Sequence, residues 1–114
     1  MKAHHNLQVW QRGIKFVTEI YQLTETFPKS ELYGLINQMR RAAVSIASNI
    51  AEGAARNSKK EFKRFLSMSQ GSIAELETHL IISENLGYCS DIRSLLNELD
   101  EISKMIIGLM KSLD

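Results

Sequence analysis

The chain of 114 residues has one proline, one cysteine and one tryptophan, and aromatic residues make up only 7% of it. A lone cysteine, Cys89, cannot close an internal disulfide, so a disulfide-stapled scaffold is excluded. One proline and six glycines exclude a collagen-like or low-complexity chain. No apolar run approaches the roughly 18 residues that a membrane-spanning helix needs. The opening Met-Lys-Ala-His-His-Asn lacks the apolar stretch of a secretory signal, so the expectation is a cytoplasmic protein with no membrane role. A strong excess of one charge is also lacking, since 14 Lys and Arg face 13 Asp and Glu, for a net of +1. What is present is 44% hydrophobic residues, in a length that fits one domain, residues 1–114, around one core.

These apolar residues recur at three- and four-residue steps, and no stretch alternates with period two for long enough to make a strand. The expected class is therefore all-α. A first helix is expected over about Leu7 to Glu25, with Trp10, Ile14, Val17, Tyr21 and Thr24 on its core face, ending before Phe27-Pro28. A second runs from about Glu31 to Ala54, with Leu32, Ile36, Met39, Ala43, Ile46 and Ile50 on its seam. Ser58-Lys59-Lys60-Glu61 has the spacing of a capping box, which starts a third helix with Phe62, Phe65, Leu66, Ser69, Ile73, Leu76 and Leu80 inward. Gly87 follows as a left-handed terminator. Ser90 or Cys89 is expected to cap a fourth helix from Asp91 to about Leu113, burying Ile92, Leu95, Leu96, Leu99, Ile106 and Met110. Helices of this length joined by a few residues fold back on their neighbours, so the expected architecture is an antiparallel up-down-up-down four-helix bundle.

A bundle needs one apolar stripe per helix, and this sequence has more. Beside the first helix's core face lie Val9, Phe16, Ile20, Leu23 and Phe27. The second helix carries a flank of Gly34, Gln38, Ala42, Ser45, Asn49 and Glu52, and the third places Gly71, Thr78 and Ile82 outward. Either a broad core absorbs these flanks or copies of the chain share them. The second reading predicts a homo-oligomer whose interface contains Val9, Phe16, Ile20, Leu23, Phe27, Gly34, Gln38, Ser45, Asn49, Glu52 and Gly71.

The charges are unevenly spread. Residues 40–64 hold seven cations, Arg40, Arg41, Arg56, Lys59, Lys60, Lys63 and Arg64, against Glu52 and Glu61, for +5; residues 65–114 hold three against eight, for −5. The cluster centres on the turn between the second and third helices, where free amides at a helix start also favour phosphate. Those seven residues are the candidate nucleic-acid contacts, either as a salt-sensitive phosphate-binding surface or as a solvated basic face with no ligand. Phe62 and Phe65 fall on the core stripe, so stacking platforms for single strands are not expected.

Catalytic signatures are missing. The histidines are His4, His5 and His79, and the residue three before His79 is Leu76, so the paired Glu-x-x-His of a di-iron bundle is not present. Cys89 has no sequence-adjacent histidine to activate it, and the turn after Gly53 lacks the Gly-Lys-Ser/Thr ending of a phosphate-binding loop. No catalytic residue, metal site, cofactor or small-molecule substrate is expected.

The run Gln38-Met39-Arg40-Arg41-Ala42-Ala43-Val44-Ser45-Ile46-Ala47-Ser48-Asn49-Ile50-Ala51-Glu52-Gly53 is specific, and so are Leu7-Gln8-Val9-Trp10-Gln11, Phe27-Pro28, Arg64-Phe65-Leu66, Gly71-Ser72 and Glu75-Leu76-Glu77-Thr78. By these residues the chain resembles the four-helix-bundle family of 23S rRNA intervening-sequence proteins over nearly its full length. It departs from the family pattern at Ala47, where proline is usual, and at His79, where glutamine is frequent. The resemblance implies a bacterial protein, a cyclic homopentamer, and RNA, DNA or a nucleic-acid enzyme as partner. A protein-interaction scaffold without nucleic-acid binding is the alternative.

Overall fold

The computed structural model describes residues 2–114, which form helices α1 (Gln8–Thr24), α2 (Asn37–Ala55), α3 (Lys59–Asn85) and α4 (Arg93–Ser112). Each helix packs on its neighbours in sequence, and α4 returns to α1 to close an all-α, up-down-up-down bundle 43 Å long and about 21 Å across. The most extensive interface is that between α2 and α3. Met39, Ile50, Leu66, Leu76, Leu80, Leu99, Ile102 and Ile106 are fully buried at the centre.

Local chemistry sets the helix boundaries. Ser58 Oγ accepts a hydrogen bond from the Glu61 amide (3.2 Å), as the capping spacing predicts. The reciprocal half of the box does not form, because the Glu61 carboxylate turns to Arg64 instead. At the other end of α3, Gly87 takes a φ of +79°, the left-handed conformation that glycine allows without a steric cost. The start of α4 differs from expectation. Asp91 itself has a φ of +52°, which places it outside the helix, and Ile92 precedes Arg93 without any side-chain cap. Neither Ser90 nor Cys89 serves as one.

The entry to α2 is also less regular than the sequence suggests. A 3-10 turn at Lys29–Glu31 and a wide turn at Leu32–Ile36 precede it, with a break at Gly34 (φ −111°, ψ −111°). Glu31 holds this bend by accepting from the Leu35 amide (3.3 Å) and the Tyr88 hydroxyl (2.9 Å). Leu32, expected on the seam, is thereby left exposed. Beyond the bend α2 runs unbroken through Ala47, whose Cβ lies close to the Gly13 backbone where α1 and α2 cross.

The two apolar stripes of α1 exchange the roles that the sequence suggests. Val9, Phe16, Ile20 and Phe27 are buried in the chain's own core, and Leu23 packs against it. The stripe expected to be inward, Trp10, Ile14, Val17 and Tyr21, lies on the flank next to α2, with Ile14 and Tyr21 exposed. Helical geometry accounts for both, since neighbouring stripes on one helix are separated by only about 100°. The core rotates toward the stripe holding Phe16 and Ile20, and Thr24 joins it by donating its hydroxyl proton to the Ile20 carbonyl (2.8 Å).

Candidate nucleic-acid interface

The seven candidate cations fall into two groups. Arg40 and Arg41 stand in the first turns of α2, whereas Arg56 follows its last, so 15 residues separate Arg41 from Arg56. At 1.5 Å per residue that is about 22 Å along the axis, and one continuous patch of all seven does not form.

Arg40 is committed within the chain. It donates to Thr24 Oγ1 (2.9 Å) and the Tyr21 carbonyl (3.3 Å), stacks over the Tyr21 ring at 4.4 Å, and lies 3.6 Å from Glu25. Arg41 is exposed and lines a groove of about 530 Å³ with Tyr21, Asn37, Arg40, Val44 and Ser45.

The second group gathers at the opposite end. Arg56 and Arg64 place their guanidinium groups over the Phe65 ring, at 5.1 and 4.7 Å. Phe65 is buried, so it offers no stacking face to a base but fixes the two cations beside the α2–α3 turn. Arg64 also donates twice to Glu61, at 3.1 Å each. Those bonds, together with the Arg64, Arg56 and Lys60 charges, hold the Glu61 carboxyl below its ordinary range. Lys63 pairs with Asp114 of the C-terminus. Lys59 and Lys60 are exposed at the first turn of α3, where their own backbone amides have no acceptor in the preceding turn. This end therefore presents two exposed ammonium groups, two anchored guanidinium groups and a positive helix terminus.

The antiparallel topology enlarges the charge difference that the sequence shows. Both chain termini lie at the same end as the α2–α3 turn. Residues 2–15, 47–71 and 103–114 carry ten Lys and Arg against three Asp and Glu, a net of +7. Residues 16–46 and 72–102 carry four against ten, a net of −6. Lys2, Lys104 and Lys111 thus join the cationic half, although a linear window over residues 40–64 does not include them. Their signal was the fold itself, because an up-down-up-down bundle returns both termini to one end.

The positions expected at an oligomer interface divide similarly. Val9, Phe16, Ile20 and Phe27 are internal, which removes them from any subunit contact, and Leu23 is half-buried. Gly34 sits in the bend before α2, where a Cβ would lie 2.8 Å from Glu31 Oε1. Asn49 is buried and satisfied within the chain, its amide donating to the Ser45 carbonyl and hydroxyl at 2.9 Å each. Ser45 also meets Ser72 (3.0 Å) across α2 and α3. Gln38, Glu52 and Gly71 are exposed.

The family model of the 23S rRNA-intervening sequence protein matches residues 5–108. The chain belongs to that family. The match spans all four helices, from the 3-10 turn at Ala3–Asn6 to near the end of α4, and so covers the cationic end and the exposed face of α2 alike. Comparison with curated proteins finds no match. No helix among the described residues is long and apolar enough to cross a membrane.

Cys89 and His79 lie away from the cationic end. Burial, and secondarily the Glu84 carboxylate, push the Cys89 thiol above its ordinary range, opposite to the lowering that makes a nucleophile. His79 is 8% exposed, its Nδ1 has no hydrogen-bond partner, and its Nε2 lies 4.0 Å from Glu75. Among the described residues no three His, Cys, Asp or Glu side chains are placed to hold a metal ion.

Proposed function

We propose that this chain is a non-catalytic, cytoplasmic homo-oligomer that binds structured RNA or DNA through the cationic end of its bundle, without reading sequence. The observation that carries this reading is the set Arg56, Lys59, Lys60, Lys63 and Arg64 at one end of a bundle with +7 in that half and −6 in the other. Cations at that density displace counterions from a phosphate backbone, and the acidic half repels the same polymer, so binding is confined to one end. Copies arranged around an axis repeat the cationic end on one rim, and the pentamer implied by the family resemblance would set five of them side by side. The protein then acts as an adaptor that holds nucleic acid for a partner enzyme.

The test is retention of the purified chain on duplex RNA and duplex DNA. Binding is expected at low ionic strength and should fall steeply with added salt. It should be strongly weakened in Lys59→Glu/Lys60→Glu, whose side chains make no contact that the fold needs. Absence of wild-type retention at low salt would overturn this reading. A second reading, a protein-interaction scaffold, is favoured by the exposed Ile14, Tyr21, Val44, Ile81 and Ile82. It would replace the first if that retention is absent.

A further inference from the structure

Phe65 is buried and Phe62 packs against the core, so α3 gives the cationic end no free aromatic face. The N-terminus brings three other rings to that end. His4, His5 and Trp10 form one cluster, with ring centroids 4.5 Å (His4–His5), 4.8 Å (His4–Trp10) and 5.4 Å (His5–Trp10) apart. His5 is tilted against Trp10 by 33°, and His4 meets both rings nearly edge-on, at 80° and 70°. All three residues are half-buried, so each keeps part of its surface toward solvent.

The cluster is pinned to the bundle. Both histidines belong to the 3-10 turn Ala3–Asn6, in which the Leu7 amide donates to the His4 carbonyl (3.0 Å). The Gln11 side-chain amide donates to the His5 carbonyl (2.8 Å), and the turn packs on α2. Trp10 packs against the core from α1. The rings are therefore in place before any ligand arrives, which lowers the ordering cost of binding.

The cluster also lies beside the cations. α1 crosses antiparallel α2 at Gly13 on Ala47. Trp10 is three residues from that crossing and Arg56 is nine, both toward the same end, so they differ by about 9 Å along the axis. Exposed Lys2 precedes the turn itself.

We infer that His4, His5 and Trp10 form a stacking site for unpaired nucleobases, so that the cationic end takes a single strand, or the single-stranded flank of a duplex, of RNA or DNA. Every base has a π face, and rings that stack on it bind without reading sequence. Lys2 and Arg56 supply cations for the phosphates on either side of the stacked bases. The inference rests on the nucleic-acid reading given above and deepens it, adding a contact to bases where that reading has contacts to phosphates alone.

Trp10 is the one tryptophan of the chain, so its fluorescence reports on this site. Titration of the full chain at low salt with oligoadenylate, and separately with oligodeoxyadenylate, should quench Trp10 emission, because the rings stack on the base and not on the sugar. A blunt RNA duplex should be retained with little quenching. His4→Ala/His5→Ala should weaken binding of both single strands by about tenfold and leave duplex affinity unchanged. His4→Phe/His5→Phe, which keeps the rings, should restore single-strand binding, and circular dichroism should show all variants equally helical. If wild type binds the duplex, but single strands fail to quench Trp10 or bind His4→Ala/His5→Ala as tightly as wild type, the stacking site is wrong and the duplex reading stands. If wild type binds neither duplex nor single strand, both are wrong.

Discussion

A Cβ placed on Gly53 would lie 2.8 Å from Phe62 Cδ1 and 2.8 Å from Phe65 Cβ, so the first turns of α3 rest on α2 at a point where only glycine fits. Replacing a helical glycine with alanine ordinarily stabilises by about 1 kcal/mol. At Gly53 the sign is reversed, because Phe65 Cβ is held by its own backbone and cannot swing away. Gly53→Ala should destabilise by about 1–3 kcal/mol, whereas Gly71→Ala should stabilise the isolated subunit by about 0.5–1 kcal/mol. Chemical denaturation of the two variants checks both signs.

Ser58 is the one side-chain cap of α3, and Ser58→Ala should cost about 1 kcal/mol. Glu61, in the same turn, has its carboxyl lowered by Arg64 first and by the other nearby cations after it. A carboxylate with a lowered folded-state value stabilises the fold fully above the ordinary value of 4.5 and loses that contribution as pH falls through the lower one. Glu61→Gln should therefore reduce the loss of stability in that acid window. Denaturation midpoints measured across it test this.

Arg12 donates to both carboxylate oxygens of Glu98 (2.9 and 2.6 Å), tying α1 to α4 where the bundle closes. The pair is 38% and 28% exposed, so solvent screens it. A double-mutant cycle with Arg12→Ala and Glu98→Ala should return a coupling of about 0.5–1 kcal/mol that declines with salt.

Cys89 should alkylate more slowly than an unstructured thiol at neutral pH, because burial and Glu84 raise its pKa and reduce the thiolate fraction. Iodoacetamide labelling with and without denaturant measures the difference. Equal rates in the two conditions would contradict the burial of this thiol.

Much of the fold was legible in periodicity and caps. The α3 seam from Phe65 to Leu80 is inward as the three- and four-residue steps indicate, and Ser58 and Gly87 mark its ends for local reasons that a sequence carries. Both stripes of α1 are largely apolar, and the buried one is the one whose helix face includes Gly13, which crosses Ala47, a residue 34 positions away. Gly34 departs from helical geometry at a bend held by Glu31, whose partner Tyr88 comes from distant sequence. The candidate site shows the same division. Lys59 and Lys60 are exposed as their spacing indicates, whereas the separation of Arg41 from Arg56 and the arrival of Lys2 and Lys111 at the cationic end follow from three-dimensional topology alone.

The most direct measurement is the salt dependence of duplex RNA binding by wild type, Lys59→Glu/Lys60→Glu and a control altered at the acidic end, Glu84→Gln, where α3 ends. Binding by wild type and control should fall with the same steep slope of log affinity against log salt, and the lysine variant should bind weakly with a shallower slope. Equal affinity and equal slope for all three proteins would contradict a nucleic-acid role for the cationic end.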